Sequence, residues 1–313
     1  MKKFLFEIVL FIFLPIICIA SIAEYSIRQL PNDYSYKNQW MEENCQKLTT
    51  LCLGPSSCYY GIDPTYFNKK AFNGAHVSQS LNYDNFIFNK FINKMDSLQY
   101  VVVCIDYWSP FYSMEYAPEY WRIKNYNIYY GCDYKKGELK YKYELTFHNL
   151  STFKNAAKGL LTATGLKQYS NSNVNELGYG LNYSSKNKKS DWDNGEFYAV
   201  KHNNAIKSVE QLNLINKNKE FVMDICKKCS DRNIKVLLIS TPTYKSYQEY
   251  LNKDYLQNKN EFCVFFEQTY NNVSYIDYSN DKRFVAEDFY DSCHLNDIGA
   301  RKLSMIINKK LTE

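Results

Sequence analysis

The sequence predicts an α/β protein in three layers, with a parallel sheet covered by helices on both sides. Two short apolar runs carry that expectation. Residues 100–105 and 235–241 are continuous and largely aliphatic, the pattern of strands buried on both faces. Around them lie segments of helical period: within 83–95, Phe86, Ile87, Phe91 and Ile92 share one face. Strands that alternate with helices pair in parallel through crossovers, and such sheets collect their chemistry at the carboxyl ends of the strands. With 313 residues, 45% of them hydrophobic and 23% charged, the chain can build one large core or two modest ones. Those proportions exclude an intrinsically disordered chain and a multispanning membrane protein.

The elements follow in order. Lys2 and Lys3 precede an apolar run from Phe4 to Ala23 whose single charge is Glu7, about the twenty residues a membrane helix needs. The run reads as an uncleaved N-terminal anchor, or as a signal peptide cut after Ala23 with the small Ser21 in the −3 position. Ile17 is too bulky to make Cys18 a lipidation site. Lysines stay on the cytoplasmic side, so residues 30–313 face outward, in the periplasm or at the cell surface. The expected organisation is therefore an anchor at 1–29 and one domain at 30–313.

Within that domain, residues 48–54 read as a strand running into the turn Gly54, Pro55, Ser56, Ser57, and 71–77 as a second strand. The helix at 83–95 and the strand at 100–105 follow. A large insertion at about 110–204, rich in Tyr, Asn and Lys, then interrupts the alternation, with one helix expected near 152–163. It reads as a lid or substrate groove over the sheet's carboxyl edge, or as a plain surface excursion. A long amphipathic helix at 206–230, strands at 235–241 and 273–277 and a C-terminal helix at 295–311 complete the chain.

Composition narrows the function classes. The net charge of +5 comes from dispersed lysines with no dense basic block, so nucleic acid is not an expected partner. Ten cysteines fit no zinc spacing. Cys226 and Cys229 continue the apolar stripe Val209, Leu212, Ile215, Val222 and Ile225, which points to core packing rather than redox work. His148 and His202 have no ligand-spaced partners, and no glycine-rich phosphate loop is present, so neither metal nor cofactor is expected. Aromatic residues reach 17%, with 30 Tyr among them. Base composition of the coding DNA accounts for such a surplus; a wet, carbohydrate-contacting surface would use it.

Two motifs carry chemistry. Leu53-Gly54-Pro55-Ser56-Ser57 places a serine on a tight turn after the first strand, with its hydroxyl exposed and its own N–H available to an oxyanion. Asp291-Ser292-Cys293-His294, just before the last helix, offers an imidazole with an acid three residues ahead. Serine catalysis needs that pair, one to take the hydroxyl proton and one to orient the base. Alone, each motif also describes an ordinary loop or a helix cap.

Together they resemble the SGNH (GDSL-like) hydrolase family, over about residues 49–310. The resemblance implies a three-layer α/β/α flavodoxin-like fold, with Ser56 as nucleophile, His294 as general base and Asp291 as its orienter; Ser57 is the neighbouring alternative. In the stretch Asn73-Gly74-Ala75-His76-Val77-Ser78, Ser78 falls where the family's second block donates a backbone N–H to the oxyanion. Two departures stand out. Pro55 replaces the family's aspartate, and Asp106-Tyr107-Trp108-Ser109 follows the third strand where the family has Gly-x-Asn-Asp. Asn73, Asn82 or Tyr107 would have to supply the missing side-chain donor. The pattern is closest to divergent, membrane-anchored envelope members. For these the resemblance implies a serine-dependent ester hydrolase or O-acyltransferase acting on an acylated carbohydrate or another small ester. The other reading is an inactive envelope binding or assembly protein that keeps the fold.

Overall fold

A computed structural model describes residues 2–135, 137–148, 150–161, 172–206 and 213–313. Internal contacts divide the chain into two compact units, Met1–Asn38 with Trp121–Asn173, and Gln39–Tyr120 with Val174–Glu313. The expected insertion at about 110–204 is shared between them: 121–173 belongs to the first unit, and 110–120 and 174–204 to the second.

In chain order the main elements begin with helices α1 (Lys2–Arg28) and α2 (Asp33–Asn44), strand β1 (Thr50–Leu53) and helix α3 (Ser56–Gly61). Next come β2 (Ala71–Asn73), α4 (Leu81–Phe91), β3 (Tyr100–Cys104), α5 (Leu150–Leu161), α6 (Gly195–Ile206) and α7 (Leu214–Asp231). β4 (Lys235–Ser240), α8 (Lys253–Thr269), β5 (Val273–Asp277), the short strands β6 (Phe289–Asp291) and β7 (His294–Leu295), and α9 (Asp297–Thr312) close the chain.

The second unit is the predicted α/β fold. Its five strands are all parallel, in the order β2-β1-β3-β4-β5. This is the flavodoxin-like order, which reverses beside β1 and opens a crevice at the strand ends there. Successive side chains on β3 point to opposite faces. Val102 and Cys104 join Leu303 and Ile307 of α9 in one core, while Val101 and Val103 face the other way and are equally inaccessible. On that unit's helices, α4 packs on α7, α7 on β4, and α9 on α3. Cys226 and Cys229 are buried on α7 as free thiols, as the stripe predicts.

Three boundaries differ from expectation. β2 stops at Asn73 rather than 77, because the Asn73 side chain takes the Ala75 N–H (3.0 Å) and turns the chain out of the ladder. The helix expected at 206–230 begins at Leu214; Ile206 closes α6, and 207–212, with Val209 and Leu212, lie outside the described residues. The helix expected near 152–163 is α5, and its last two positions likewise lie outside them.

In the first unit, α1 contains a 19-residue span, Leu10–Arg28, of mean hydropathy 2.1, long and apolar enough to cross a membrane. From Leu10 to Ile22 its side chains are exposed, Phe11 at 82% and Ile19 at 61%, whereas Ala23, Ser26 and Ile27 near its end are buried. Near its end, Glu24 pairs with Arg28 (2.6 Å) and accepts the N–H groups of Glu144 and Leu145 at 3.1 Å.

Phe72 tests the edge of the sheet. It is fully buried on β2 and stacked at 3.9 Å on Trp40. Phe72→Ala leaves a cavity the strand cannot close, and is expected to cost about 3–5 kcal/mol in urea unfolding of the full chain; a loss below about 1 kcal/mol would show that the edge carries little of the stability.

Candidate active site

β1 delivers the chain to a crossing that only glycine can make. Gly54 has φ +139°, and a Cβ there would stand 2.8 Å from Cys104 Cβ and 3.2 Å from Cys58 Cβ. The chain then turns at Pro55, whose carbonyl accepts the N–H groups of Cys58 and Tyr59 (both 3.0 Å) and starts α3. Ser56 is the first residue of that helix and keeps partial exposure.

The acid and the base come from the β6–β7 hairpin, in which Asp291 and His294 are cross-strand partners. Asn296 ties this hairpin to α9. Its amide donates to the carbonyls of Glu287 (2.7 Å) and Phe289 (3.2 Å), and its oxygen caps the N–H groups of Ile298 and Gly299. Asn296 thus caps α9, and the same side chain anchors the hairpin that carries Asp291 and His294.

The two motifs meet. Ser56 Oγ lies 2.8 Å from His294 Nε2, and His294 Nδ1 lies 2.9 and 3.1 Å from the two oxygens of Asp291. Burial pushes Asp291 up, but the charge and hydrogen bond of His294, with the Cys293 N–H, outweigh it and hold the carboxyl at about 2. Burial pulls His294 down, and the Asp291 charge and hydrogen bond win in turn, raising it above its ordinary range. An ionised Asp291 only accepts, so Nδ1–H donates to it. Nε2 is then the acceptor for the Ser56 hydroxyl proton.

Ser57, the alternative serine, is directed elsewhere. It is buried, and its hydroxyl donates to Asp106 Oδ1 at 2.8 Å. The other expected site residues are distributed as follows. Both amide protons of Asn73 are committed, to the carbonyls of Cys58 (2.9 Å) and Ile62 (2.8 Å), so it clamps α3 to β2 and has none left for an oxyanion. The Tyr107 hydroxyl donates to Asn203 (2.6 Å) and receives the Asn252 N–H (3.2 Å), which ties it to α6 and the start of α8 instead. Ser78 sits in the turn after β2 with φ +60°, partly exposed. Asn82 lies in the first turn of α4 and accepts the Ser80 hydroxyl at 2.6 Å. His202 is bonded to the Tyr247 hydroxyl (2.7 Å), and burial pulls it down to about 3; His148 pairs with Glu144 in the first unit.

Four features escaped the sequence reading. Asp106 directly follows the strand expected at 100–105, but nothing local announced its bond to Ser57. Cys293 sits between Asp291 and His294, its Sγ 3.4 Å from Asp291 Oδ1 and from His294 Nδ1. Tyr60, Tyr183 and Tyr290 stack in a column (3.7 and 3.9 Å), and Tyr183 meets the His294 ring edge-on at 5.3 Å. Tyr183 is held there by Gly180, whose N–H bonds Tyr59 O (2.9 Å) and whose missing Cβ leaves room for the Tyr59 ring. Asp84 lies wholly buried, with Gln79 Nε2 at 2.6 Å. Burial pushes it up to about 7, against the pull of Gln79 and the Gly54 N–H.

No protein-family model matches the chain, and no curated protein matches it in sequence. Among solved structures it is similar to a provisionally assigned platelet activating factor from Streptococcus pneumonia, with 10% identity, TM-score 0.43, and coverage of 95% of this chain and 99% of the other. It is similar also to a provisionally assigned acylhydrolase from Bacteroides fragilis, with 10% identity, TM-score 0.40, and coverage of 92% and 93%. Likeness at this level bears on neither activity nor substrate.

The buried acid under Gly54 has a measurable sign. Asp84 stays protonated in the folded chain up to about 7 but ionises near 3.8 when unfolded. The wild type therefore loses stability relative to Asp84→Asn as pH rises from 3.8 toward 7. Urea midpoints of the two proteins at pH 5 and pH 8 are expected to diverge in favour of the variant; a constant difference would mean that Asp84 is ionised in the fold.

Proposed function

We propose that the protein is a serine-dependent ester hydrolase or O-acyltransferase, held at a membrane by α1 with residues 30–313 outside the cytoplasm. The observation that carries the reading is the relay from Ser56 Oγ through His294 to Asp291, with all three links within 3.1 Å. In this reading His294 Nε2 takes the proton as Ser56 attacks an ester carbonyl, and Asp291 stabilises the imidazolium that forms. The proton then passes to the leaving alkoxide, an acyl-enzyme remains, and water or a sugar hydroxyl releases the acyl group. The backbone N–H groups of Ser56 and Ser78 are the proposed oxyanion donors. Neither metal nor cofactor enters these steps. The tyrosines beside His294, each an apolar ring with a polar tip, favour a polyhydroxylated substrate such as an acylated envelope glycan.

One observation favours a second reading, a binding or assembly protein without turnover. Asp106-Tyr107-Trp108-Ser109 stands where the resembled family carries Gly-x-Asn-Asp, so these four residues bring no side-chain amide to an oxyanion, and the Asp106 carboxyl, raised by burial, takes the Ser57 hydroxyl instead. Losing such a donor is worth about 10²–10³ in rate.

A fluorophosphonate probe on the full chain in detergent separates the two. Ser56 is expected to label, Ser56→Ala to abolish labelling, and His294→Ala to slow it by about 10²–10⁴. Equal labelling of wild type and Ser56→Ala would remove Ser56 as nucleophile, and no labelling of folded protein would favour the binding reading.

The labelling rate should also rise with pH as His294, held above 6.5 by Asp291, loses its proton. In Asp291→Asn the strongest opposition to burial is lost and only the weaker pull of Asp106 remains, so the midpoint is expected to move down. A midpoint that stays in place would separate Asp291 from the titration.

A further inference from the structure

Cys293 turns the acid–base pair into a three-donor set. Its Sγ lies 3.4 Å from both Asp291 Oδ1 and His294 Nδ1, and those two are 2.9 Å apart. A tetrahedral zinc ion, with bonds of about 2.3 Å to sulfur and about 2.0 Å to nitrogen and oxygen, needs donors about 3.5 and 3.3 Å apart. The observed spacings depart from these by a few tenths of an ångström. Among the described residues this is the one group of His, Cys and carboxylate donors that converges so closely. His294 keeps 15% of its side chain exposed, which leaves an approach to the cluster.

We propose that Asp291, Cys293 and His294 form an inhibitory site for a thiophilic divalent cation of the zinc class, which silences Ser56 when bound. The donor set decides the class: magnesium and calcium take oxygen ligands, whereas thiolate with imidazole selects zinc and its softer neighbours. The metal site rests on its own geometry; only the consequence for Ser56 rests on the function proposed above.

Proton balance explains the silencing. The cation replaces two protons, on Cys293 Sγ and on His294 Nδ1. The thiol proton leaves to solvent, since a coordinating thiol is deprotonated outright. The imidazole proton moves to Nε2, the remaining nitrogen of the ring, and no electrons change hands. Nε2–H then donates toward Ser56 Oγ instead of accepting from it, so the serine loses its base. The carboxylate that orients the imidazole is engaged by the same ion.

The test uses the full chain in detergent, freed of metal by a chelator and titrated with Co²⁺, which reports a thiolate ligand by its charge-transfer absorption. One equivalent with that band is expected for the wild type and for Ser56→Ala, and loss of the band for Cys293→Ala and Cys293→Ser. In parallel, fluorophosphonate labelling is compared with and without Zn²⁺ within each protein. Zinc is expected to block the wild type reversibly, and the half-blocking concentration to rise by about 10–100-fold or more in the Cys293 variants, the loss already typical of removing a mere outer-shell partner. Absence of the thiolate band in the wild type, or its persistence in both Cys293 variants, would overturn the site. A band with labelling indifferent to zinc would overturn the silencing. If the metal-free wild type does not label at all, the serine reading fails, and the cobalt band still decides the metal site.

Discussion

The close crossing of Gly54 over Cys104 is the constraint on which the site depends. β1 is flanked by β2 and β3, and its last residues must pass the end of β3 before the chain can turn. With 2.8 Å to the Cys104 Cβ there is no space for a side chain, and φ +139° admits glycine alone. Once that crossing is made, Pro55 starts α3, Ser56 emerges on the crevice side and Ser57 is turned toward Asp106. Asn73 fixes the far end of α3 through the Cys58 and Ile62 carbonyls, so both ends of this six-residue helix are tied to the sheet.

Around the crossing lie three buried carboxyls that share burial and differ in partners. Asp291 faces an imidazole and a backbone N–H and is held low; Asp106 faces hydroxyls and is raised; Asp84 meets neutral donors, the Gln79 amide and the Gly54 N–H, and is pushed up to about 7. Desolvation acts in the same direction on all three, so the opposing charge decides the outcome. An ionised Asp291 fixes the His294 tautomer and thereby leaves Nε2 as the acceptor toward Ser56 Oγ. Cys293, packed against both members of that pair, brings a soft donor to the one place where the ring nitrogen and the carboxylate already converge.

The segment 174–206 is as much a part of the site as the strands are. It reaches Tyr59 through Gly180 and Asn73 through Leu177 O, and carries Tyr183 into the column beside His294. In that column an edge-on tyrosine covers one side of the imidazole.

Much of the second unit was legible along the chain. The runs around Val102 and Leu238 are strands because an uninterrupted apolar, β-branched stretch is stable only when both faces are buried. Asp291 and His294 are near each other by covalent proximity, three residues apart on one hairpin, so their pairing is a local property that spacing reveals. The end of β2 was misjudged because a side-chain bond from Asn73, rather than any periodicity, stops the ladder. Tertiary structure alone decided which of two adjacent serines meets His294, across 238 residues of chain. It also decided that Asn73 and Tyr107 are committed elsewhere and that Asp106 and Cys293 stand at the site. Local sequence specifies backbone period and neighbouring pairs. The order of strands, and hence what the end of β1 is pressed against, comes from packing the whole sheet at once.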